Sequence, residues 1–409
     1  MKAVVLAAGE GKRMRPLTYT RPKAMLCVAG APLISHVLCR LREAGISEAA
    51  IVVKYKKEMV TDYLSENDCG MKLTFIEQGE KDGTGAALLC AQEYAAKEDF
   101  LMVAADNVCD SSIYKKVMDS HVNGGKTIAL KRVANPSRFG VAKVEGGKIQ
   151  EFFEKPENPP SDLANISVYA FGPQIFRELK SLGTSPRGEY EIVDAFLGAD
   201  AIEVDGFWMD AGYPWNLFEL NERLLSEAGA KIGTIENSSI KGKLIMEEGA
   251  KIIDSHIDGN LYVGRNSVIG PHACIKGNVS IGENCNVGES TTIKSSILFD
   301  NVNAKHLSYI GDSVVGSGVN FGSGTQIANY RFDSENVNVL TEKGWVNSGR
   351  KKLGAIIGDD VKFGVLACTM PGKTIGNGCW VGSNVNVTRN LKPHTKVFAK
   401  QEYVYAQGE

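Results

Sequence analysis

Residues 257–299 read IDGNLY VGRNSV IGPHAC IKGNVS IGENCN VGESTT IKSSIL F, seven six-residue units and the start of an eighth. An apolar residue opens every unit (Ile257, Val263, Ile269, Ile275, Ile281, Val287, Ile293, Phe299), and glycine follows it at 264, 270, 282 and 288. A period of six, with one inward side chain per short strand and a small residue at the turn, is the pattern of a hexapeptide β-helix. A β-sandwich would vary its spacing with turn type. The phase resumes at Ile357 and runs through Phe363, Ile375, Val381 and Val387, skipping only Thr369. Between the two runs it falters at His306–Tyr309 and from about Ala328 to Lys352. These interruptions predict loops leaving the solenoid, and loops on a rigid scaffold are where chemistry tends to sit. The open coil ends call for capping by Gln401–Tyr405 or for self-association.

Working outward, the chain changes character near residue 235. Gly plus Asn number 29 up to Thr234 and 40 from Ile235 onward, although the second stretch is the shorter, while Leu falls from 20 to 8. At 409 residues the chain exceeds one ordinary core, so the shift marks a boundary between domains 1–230 and 235–409. Before it, strand and helix patterns alternate: strands at Ala3–Leu6, Ala50–Val53, Lys72–Ile76 and Phe100–Ala104, helices at Pro32–Glu43 and Thr84–Ala95, and a closing helix at Glu219–Glu227. That alternation predicts an α/β domain with a parallel sheet covered on both faces.

Charge narrows the partners. The 46 Lys+Arg against 48 Asp+Glu leave a formal net charge of −2, which argues against nucleic-acid polymers and polybasic membrane binding. Residues 1–60 nevertheless carry +7, and Lys12, Arg13, Arg15, Arg21 and Lys23 follow one another with no acid between them. This strip points to a small polyanion. No stretch reaches the roughly 18–20 apolar residues of a membrane span. The N-terminus lacks the pattern of a signal peptide, and nine cysteines without a C-x-x-C pair suit reduced thiols in a cytoplasm. Cys27, Cys39 and Cys90 are read as small core residues.

Leu6-Ala7-Ala8-Gly9-Glu10-Gly11-Lys12-Arg13-Met14 follows the first strand directly. Small residues there let backbone N–H groups approach a ligand, and Arg13 and Lys23 can neutralise phosphate oxygens. Together with Arg21-Pro22-Lys23, Gln78, Gly83-Thr84-Gly85, Ala105-Asp106-Asn107, Phe139-Gly140-Val141, Glu154-Lys155-Pro156 and Trp208-Met209-Asp210-Ala211-Gly212, this stretch resembles the signature of the sugar-1-phosphate nucleotidylyltransferases. With the β-helix behind it, the chain resembles the archaeal-type bifunctional members that also acetylate an amino sugar phosphate. The resemblance implies a Rossmann-like nucleotidyltransferase domain followed by a left-handed parallel β-helix.

It also implies roles. The sugar phosphate attacks the α-phosphorus of a nucleoside triphosphate and pyrophosphate leaves in line, so positioning and charge neutralisation dominate. By resemblance Arg13 stabilises the departing phosphates and Lys23 bridges the α-phosphate and the incoming phosphate. Asp106 and Asp210 hold Mg²⁺, a hard cation suited to carboxylate oxygens. Leu6, Ala7, Ala8, Gly9, Gln78, Gly83 and Thr84 contact the nucleotide; Gly140, Glu154 and Asn165 contact the sugar, and Lys155 its phosphate. Asp194 falls in a stretch that resembles a segment near the sugar but equally starts a helix.

In the β-helix, His306 sits where the six-residue phase breaks. A neutral imidazole can accept a proton from an attacking amine, as direct acyl transfer from acetyl-CoA requires. His306 resembles the family's acetyltransferase base and Tyr309 the Tyr of the same motif. Lys294, Tyr309 and Asn320 match sugar-phosphate contacts, and Asn329 and Tyr330 match acetyl-CoA contacts. The expected activity is acetyl transfer to glucosamine-1-phosphate followed by uridylyl transfer, giving UDP-N-acetylglucosamine, with a homotrimer formed through the β-helix. A monofunctional glucose-1-phosphate thymidylyl- or uridylyltransferase with a structural β-helix is the alternative, and the sequence leaves UTP and dTTP both open.

Overall fold

A computed structural model describes residues 1–184, 188–227 and 233–406. The boundary placed after residue 230 lies outside the described residues. Contacts divide the chain into two units. The first holds Met1–Gly11, Arg21–Leu26 and Ala31–Ala211; the second holds Lys12–Thr20, Cys27–Gly30 and Gly212–Glu409.

The first unit is built on a sheet of β1 (Lys2–Leu6), β2 (Glu48–Val53), β3 (Lys72–Glu77), β4 (Phe100–Ala104), β6 (Lys126–Arg132), β7 (Gly140–Glu145), β8 (Lys148–Glu154), β9 (Leu163–Phe171) and β10 (Asp200–Glu203). A separate ribbon pairs β5 (Asn107–Cys109) with β11 (Trp208–Asp210). The sheet order is β3-β2-β1-β4-β9-β6-β10-β8-β7. Only β3-β2-β1-β4 form the wholly parallel run that alternating strands and helices predict. Beyond β4 the sheet is mixed, because β9 returns antiparallel to β4 and to β6. Val4, Val5, Ala50, Ile51, Val52 and Phe100 to Val103 are buried, as continuous apolar strands covered on both faces require. The helix expected over Thr84–Ala95 breaks at Ala91 into Thr84–Cys90 and Gln92–Ala95. The cysteine reading needs correction at one pair: Cys39 is joined to Cys69 by a disulfide, with Cα atoms 5.4 Å apart. The two lie 30 residues apart, on and beyond separate helices, so no short spacing betrays them.

The second unit carries three parallel sheets of nine, eight and seven short strands. One ladder shows the coil length: Ile257 pairs with Ile275, then Ile293, Ile310 and Ile327, Thr369 and Val387. Side chains stacked on successive coils are accordingly separated by 18 residues at Asn260 and Asn278 and by 17 residues at Asn286 and Asn303. A coil is thus three hexads, less an occasional residue. The missing residue explains two departures from the sequence reading. Ile281 pairs with Leu298, so Leu298 takes the inward place expected for Phe299. After that slip the phase runs through Ala304 and Ile310, drops one more residue to reach Val315, and continues through Phe321 and Ile327 inside the same core. His306–Tyr309 is thus an ordinary corner and strand start, with no loop leaving there. The second interruption is a true excursion, containing a hairpin of Asn338–Thr341 and Gly344–Asn347. Thr369 keeps its inward place at 1% exposure, with Oγ1 buried and unbonded. Gln401–Tyr405 is exposed and has no regular structure.

The asparagine enrichment has a backbone cause. Asn266, Asn284 and Asn301 adopt φ of 56°, 54° and 61° at successive corners, a left-handed conformation that Asn tolerates better than most residues. Since each inward aliphatic packs only on neighbouring coils, Ile310→Ala, at a wholly buried position, is expected to lower the stability of the β-helix by about 2–5 kcal/mol. Urea unfolding followed by a probe in the β-helix measures this; a loss under about 1 kcal/mol would mean the site collapses around the missing methyls.

Candidate functional site

At the end of β1 the ladder holds the chain to its last residue. The Leu6 carbonyl accepts from Ala105 N at 3.0 Å, and Ala7 N donates to Val52 O at 2.8 Å. Ala8 is buried, Gly9 is exposed, and a Cβ placed on Gly9 would meet nothing within 4 Å, so the turn opens onto free space. Asp106 lies just beyond β4 and Asp210 ends β11, where it pairs with Asn107. The Ala211 N–H bonds to the Asp106 carbonyl at 3.2 Å, tying these two chain segments together.

Lys23 connects the carboxylates. Its side chain is only 11% exposed, its ammonium donates to Asp106 Oδ2, and Asp210 Oδ1 lies 3.4 Å away. Two carboxylates directed at one buried cation make a centre that is negative overall and selective for positive charge. The set fits Mg²⁺: hard oxygen donors on two strand ends converge where a cation already sits, leaving other coordination positions to phosphate and water. Among the described residues no group of three or more His, Cys, Asp or Glu is arranged to hold a metal by itself.

The expected base and sugar contacts fall into two further groups. Gln78 is 6% exposed and its Nε2 donates to Lys81 O at 2.7 Å. Gly83 has φ 111°, and a Cβ there would come within 2.2 Å of the Tyr190 carbonyl. Gly85 N reaches that carbonyl at 2.8 Å, while Thr84 Oγ1 accepts from Ile192 N at 3.1 Å. Gly83-Thr84-Gly85 therefore clamps the 190–192 segment, a structural duty that accounts for the glycine whatever else it touches. Asp194 follows in a 3₁₀ turn, its carboxyl pushed up first by burial and then by Glu191. Opposite, Gly140 pairs with Glu154 across β7 and β8, and a Cβ on Gly140 would strike Phe152 and Glu154. Lys155 bonds Glu154 at 2.9 Å from a left-handed backbone of φ 48°. Asn165 sits at an irregularity of β9, where its Oδ1 accepts from Ser167 N and Tyr169 OH, both at 3.0 Å.

Arg13 groups with the second unit, its guanidinium 5.3 Å from the Tyr213 ring centroid. On the β-helix, His306 is half exposed and its Nδ1 lies 2.9 Å from Glu289 Oε2. Glu289 escaped the sequence reading, although it stands 17 residues before His306, one coil earlier. Leu307 N bonds to the Glu289 carbonyl at 2.9 Å, which fixes the two corners on each other.

A second polar cluster lies on the sheet that follows this corner. Asn329 Nδ2 donates to Tyr309 OH at 3.1 Å and to Asp312 Oδ2 at 2.6 Å. Asp312 is 4% exposed; burial pushes its carboxyl up, against the lowering effect of Asn329, Arg350, Lys294 and Lys352. Burial likewise raises the Tyr309 phenol. Asp312 was also missed, and it too stands one coil before its partner Asn329. Lys294 pairs with Gly311 in the same ladder. Tyr330 is 47% exposed and bridges to Lys352. Asn320 stands on the neighbouring sheet, between Asn303 and Lys362. Among the described residues no hydrogen bond joins His306 to Tyr309, Asn320, Asn329 or Tyr330.

Comparison with known proteins matches the same two regions. Residues 2–227 match the nucleotidyl transferase family, and residues 257–368 match the GMPPB C-terminal domain. The "Bifunctional protein GlmU" of Methanocaldococcus jannaschii is 38% identical over 99% of both chains. The "Bifunctional sugar-1-phosphate nucleotidylyltransferase/acetyltransferase" of Sulfurisphaera tokodaii is 36% identical over 92% of this chain and 94% of its own. A solved UDP-glucose pyrophosphorylase complexed with UDP-glucose superimposes with a TM-score of 0.49 at 27% identity, over 56% of this chain and 99% of that one.

Proposed function

The chain belongs to the nucleotidyl transferase family and, within it, to the bifunctional sugar-1-phosphate nucleotidylyltransferase/acetyltransferases, and from that premise we propose that it makes UDP-N-acetylglucosamine in two steps. The β-helix transfers the acetyl group of acetyl-CoA to the amine of glucosamine-1-phosphate. The α/β unit then joins the product to the uridylyl group of UTP and releases pyrophosphate. The observation that carries this reading is the presence in one chain of two chemically different centres: two carboxylates on a buried lysine, and a histidine backed by a carboxylate.

In the nucleotidyl step, Lys23 is already poised between anions and exchanges carboxylate for phosphate contacts when the triphosphate enters. Its charge then offsets the repulsion between the attacking sugar phosphate and the α-phosphate. Asp106 and Asp210 are the residues that would hold Mg²⁺, which when bound neutralises phosphate charge. Arg13 supplies a further cation for the departing phosphates. The glycine turn at Gly9 leaves room for the nucleotide, Gln78 offers the base a fixed amide, and Glu154, Lys155 and Asn165 present polar groups to the sugar phosphate.

In the acetyl step the amine forms a bond to the thioester carbonyl carbon as the C–S bond breaks, and the imidazole of His306 takes the proton the nitrogen loses and can return it to the departing CoA sulfur. Glu289 holds Nδ1 and so fixes which ring nitrogen is free to do it. Tyr309, its hydroxyl held by Asn329, and Lys294 are the groups offered to the sugar phosphate. The half-exposed His306 and Tyr330 support a site completed by a neighbouring copy in a trimer. Glu289→Gln should lower kcat for acetyl transfer about 10–100-fold, a part of the factor a general base contributes, and leave the KM for glucosamine-1-phosphate and nucleotidyl transfer within about twofold. An unchanged kcat would remove Glu289 from the acetyl centre.

The monofunctional alternative has less support, because a relative matched over 92% of this chain is named for both activities and the Methanocaldococcus jannaschii relative is named as bifunctional. Acetyl-CoA consumption by the purified protein, assayed with glucosamine-1-phosphate and without UTP, distinguishes the two readings: it is expected to proceed, and its absence would favour the alternative.

A further inference from the structure

The strand Tyr309–Gly311 and the corner after it carry a hydrogen-bond network whose directions are fixed by chemistry. Asp312 is 4% exposed. Burial opposes its charge, whereas the Asn329 amide, Arg350 with Nη2 4.0 Å away, Lys294 and Lys352 favour it. A carboxylate only accepts, so an amide that meets it turns its NH₂ towards it. Asn329 does so, with Nδ2 2.6 Å from Asp312 Oδ2. The same Nδ2 lies 3.1 Å from the Tyr309 hydroxyl oxygen. Both amide hydrogens are thereby spent, one on each oxygen, and the phenolic proton of Tyr309 is left to donate elsewhere. The reversed amide would set Asn329 Oδ1 against the carboxylate and consume the Tyr309 proton inside the protein.

The backbone preserves this arrangement. Asp312 N donates to Lys294 O and Gly354 N donates to Asp312 O, both at 2.8 Å, which fixes Asp312 between neighbouring coils. A Cβ on Gly311 would lie 2.6 Å from Asn329 Nδ2 and 2.6 Å from Tyr309 OH, so the contact exists only because residue 311 has no side chain.

We propose that Asp312 is a positioning residue of the acetyl centre: through Asn329 it makes Tyr309 a hydrogen-bond donor and so favours an acceptor, the phosphate of the sugar phosphate, at that hydroxyl. This rests on the acetyl-transfer reading above and adds to it a residue that acts only through another. The charge of Asp312 also has a direct effect, of opposite sign. Removing an anion beside Lys294 by itself strengthens the binding of a phosphate, whereas losing the Tyr309 donor weakens it. Asp312→Asn keeps the shape and lets the Asn329 amide turn either way, so it separates the two.

The test follows CoA release by the full-length protein over a range of glucosamine-1-phosphate at saturating acetyl-CoA. Asp312→Asn should raise the KM for glucosamine-1-phosphate at least about tenfold, as loss of a hydrogen bond to a charged group does, and change kcat less than about threefold. Gly311→Ala, which crowds the same contact from the other side, should act alike. In a Tyr309→Phe background, where no phenolic proton remains, Asp312→Asn should raise the KM no further. An unchanged or lower KM in Asp312→Asn, a loss confined to kcat in both single variants, or a rise that persists in the Tyr309→Phe background would overturn the proposal. Wild type that releases no CoA would overturn the acetyl reading and this inference with it, whereas a wild type that acetylates and an Asp312→Asn variant that matches it would sink the inference alone.

Discussion

His306→Ala is expected to lower acetyl transfer to glucosamine-1-phosphate by about 10²–10⁴-fold, the contribution of a well-placed general base, while uridylyl transfer to N-acetylglucosamine-1-phosphate stays within about twofold. The reason is local. His306 occupies a corner of the β-helix, is held by Glu289 from the preceding coil, and takes no part in the inward core, so alanine removes the base without opening a cavity. The measurement is CoA release with glucosamine-1-phosphate, beside pyrophosphate release with preformed N-acetylglucosamine-1-phosphate and UTP. Loss of both activities would show that the variant is misfolded or that the corner serves the other unit as well; retention of both would place the base elsewhere.

Asp210→Ala should do the reverse, lowering pyrophosphate release by about 10²–10³-fold, as the loss of one preorganised charge contact does, and sparing acetyl transfer. Asp210 and Asp106 face the same ammonium. With one carboxylate gone, Lys23 binds the other alone, and the two-carboxylate donor set that suits a divalent cation is halved. Raising Mg²⁺ should recover part of the loss if the defect is in holding the ion. Full activity in Asp210→Ala at ordinary Mg²⁺ would remove Asp210 from the centre.

The β-helix was legible because its physics is one-dimensional: a coil buries one side chain per face, so period alone reveals the core. What period could not show was where a coil drops a residue. That slip moved the inward place from Phe299 to Leu298 and made the His306 corner look like a break. The same ignorance of coil length hid Glu289 and Asp312, whose partners lie one coil further along the chain and become neighbours only once the coils are stacked. In the α/β unit, strand positions were readable from apolar runs, whereas the antiparallel return of β9 was not, since strand direction depends on where the connection crosses the sheet. Asp106, Asp210 and Lys23 were singled out through resemblance and not by spacing, and that both carboxylates meet at the lysine was not readable, since 83 and 187 residues separate it from them. The Cys39–Cys69 disulfide had no sequence signal.

The central claim is that one chain performs two successive and separable reactions. The most direct test supplies purified protein with glucosamine-1-phosphate, acetyl-CoA, UTP and Mg²⁺, and follows CoA, pyrophosphate and UDP-N-acetylglucosamine together. Wild type should release CoA and pyrophosphate in equal amounts and accumulate the nucleotide sugar. Neither His306→Ala nor Asp210→Ala alone should do so, but an equal mixture of the two should, because each supplies the step the other lacks. A mixture that makes no UDP-N-acetylglucosamine, with both variants folded, would contradict the account.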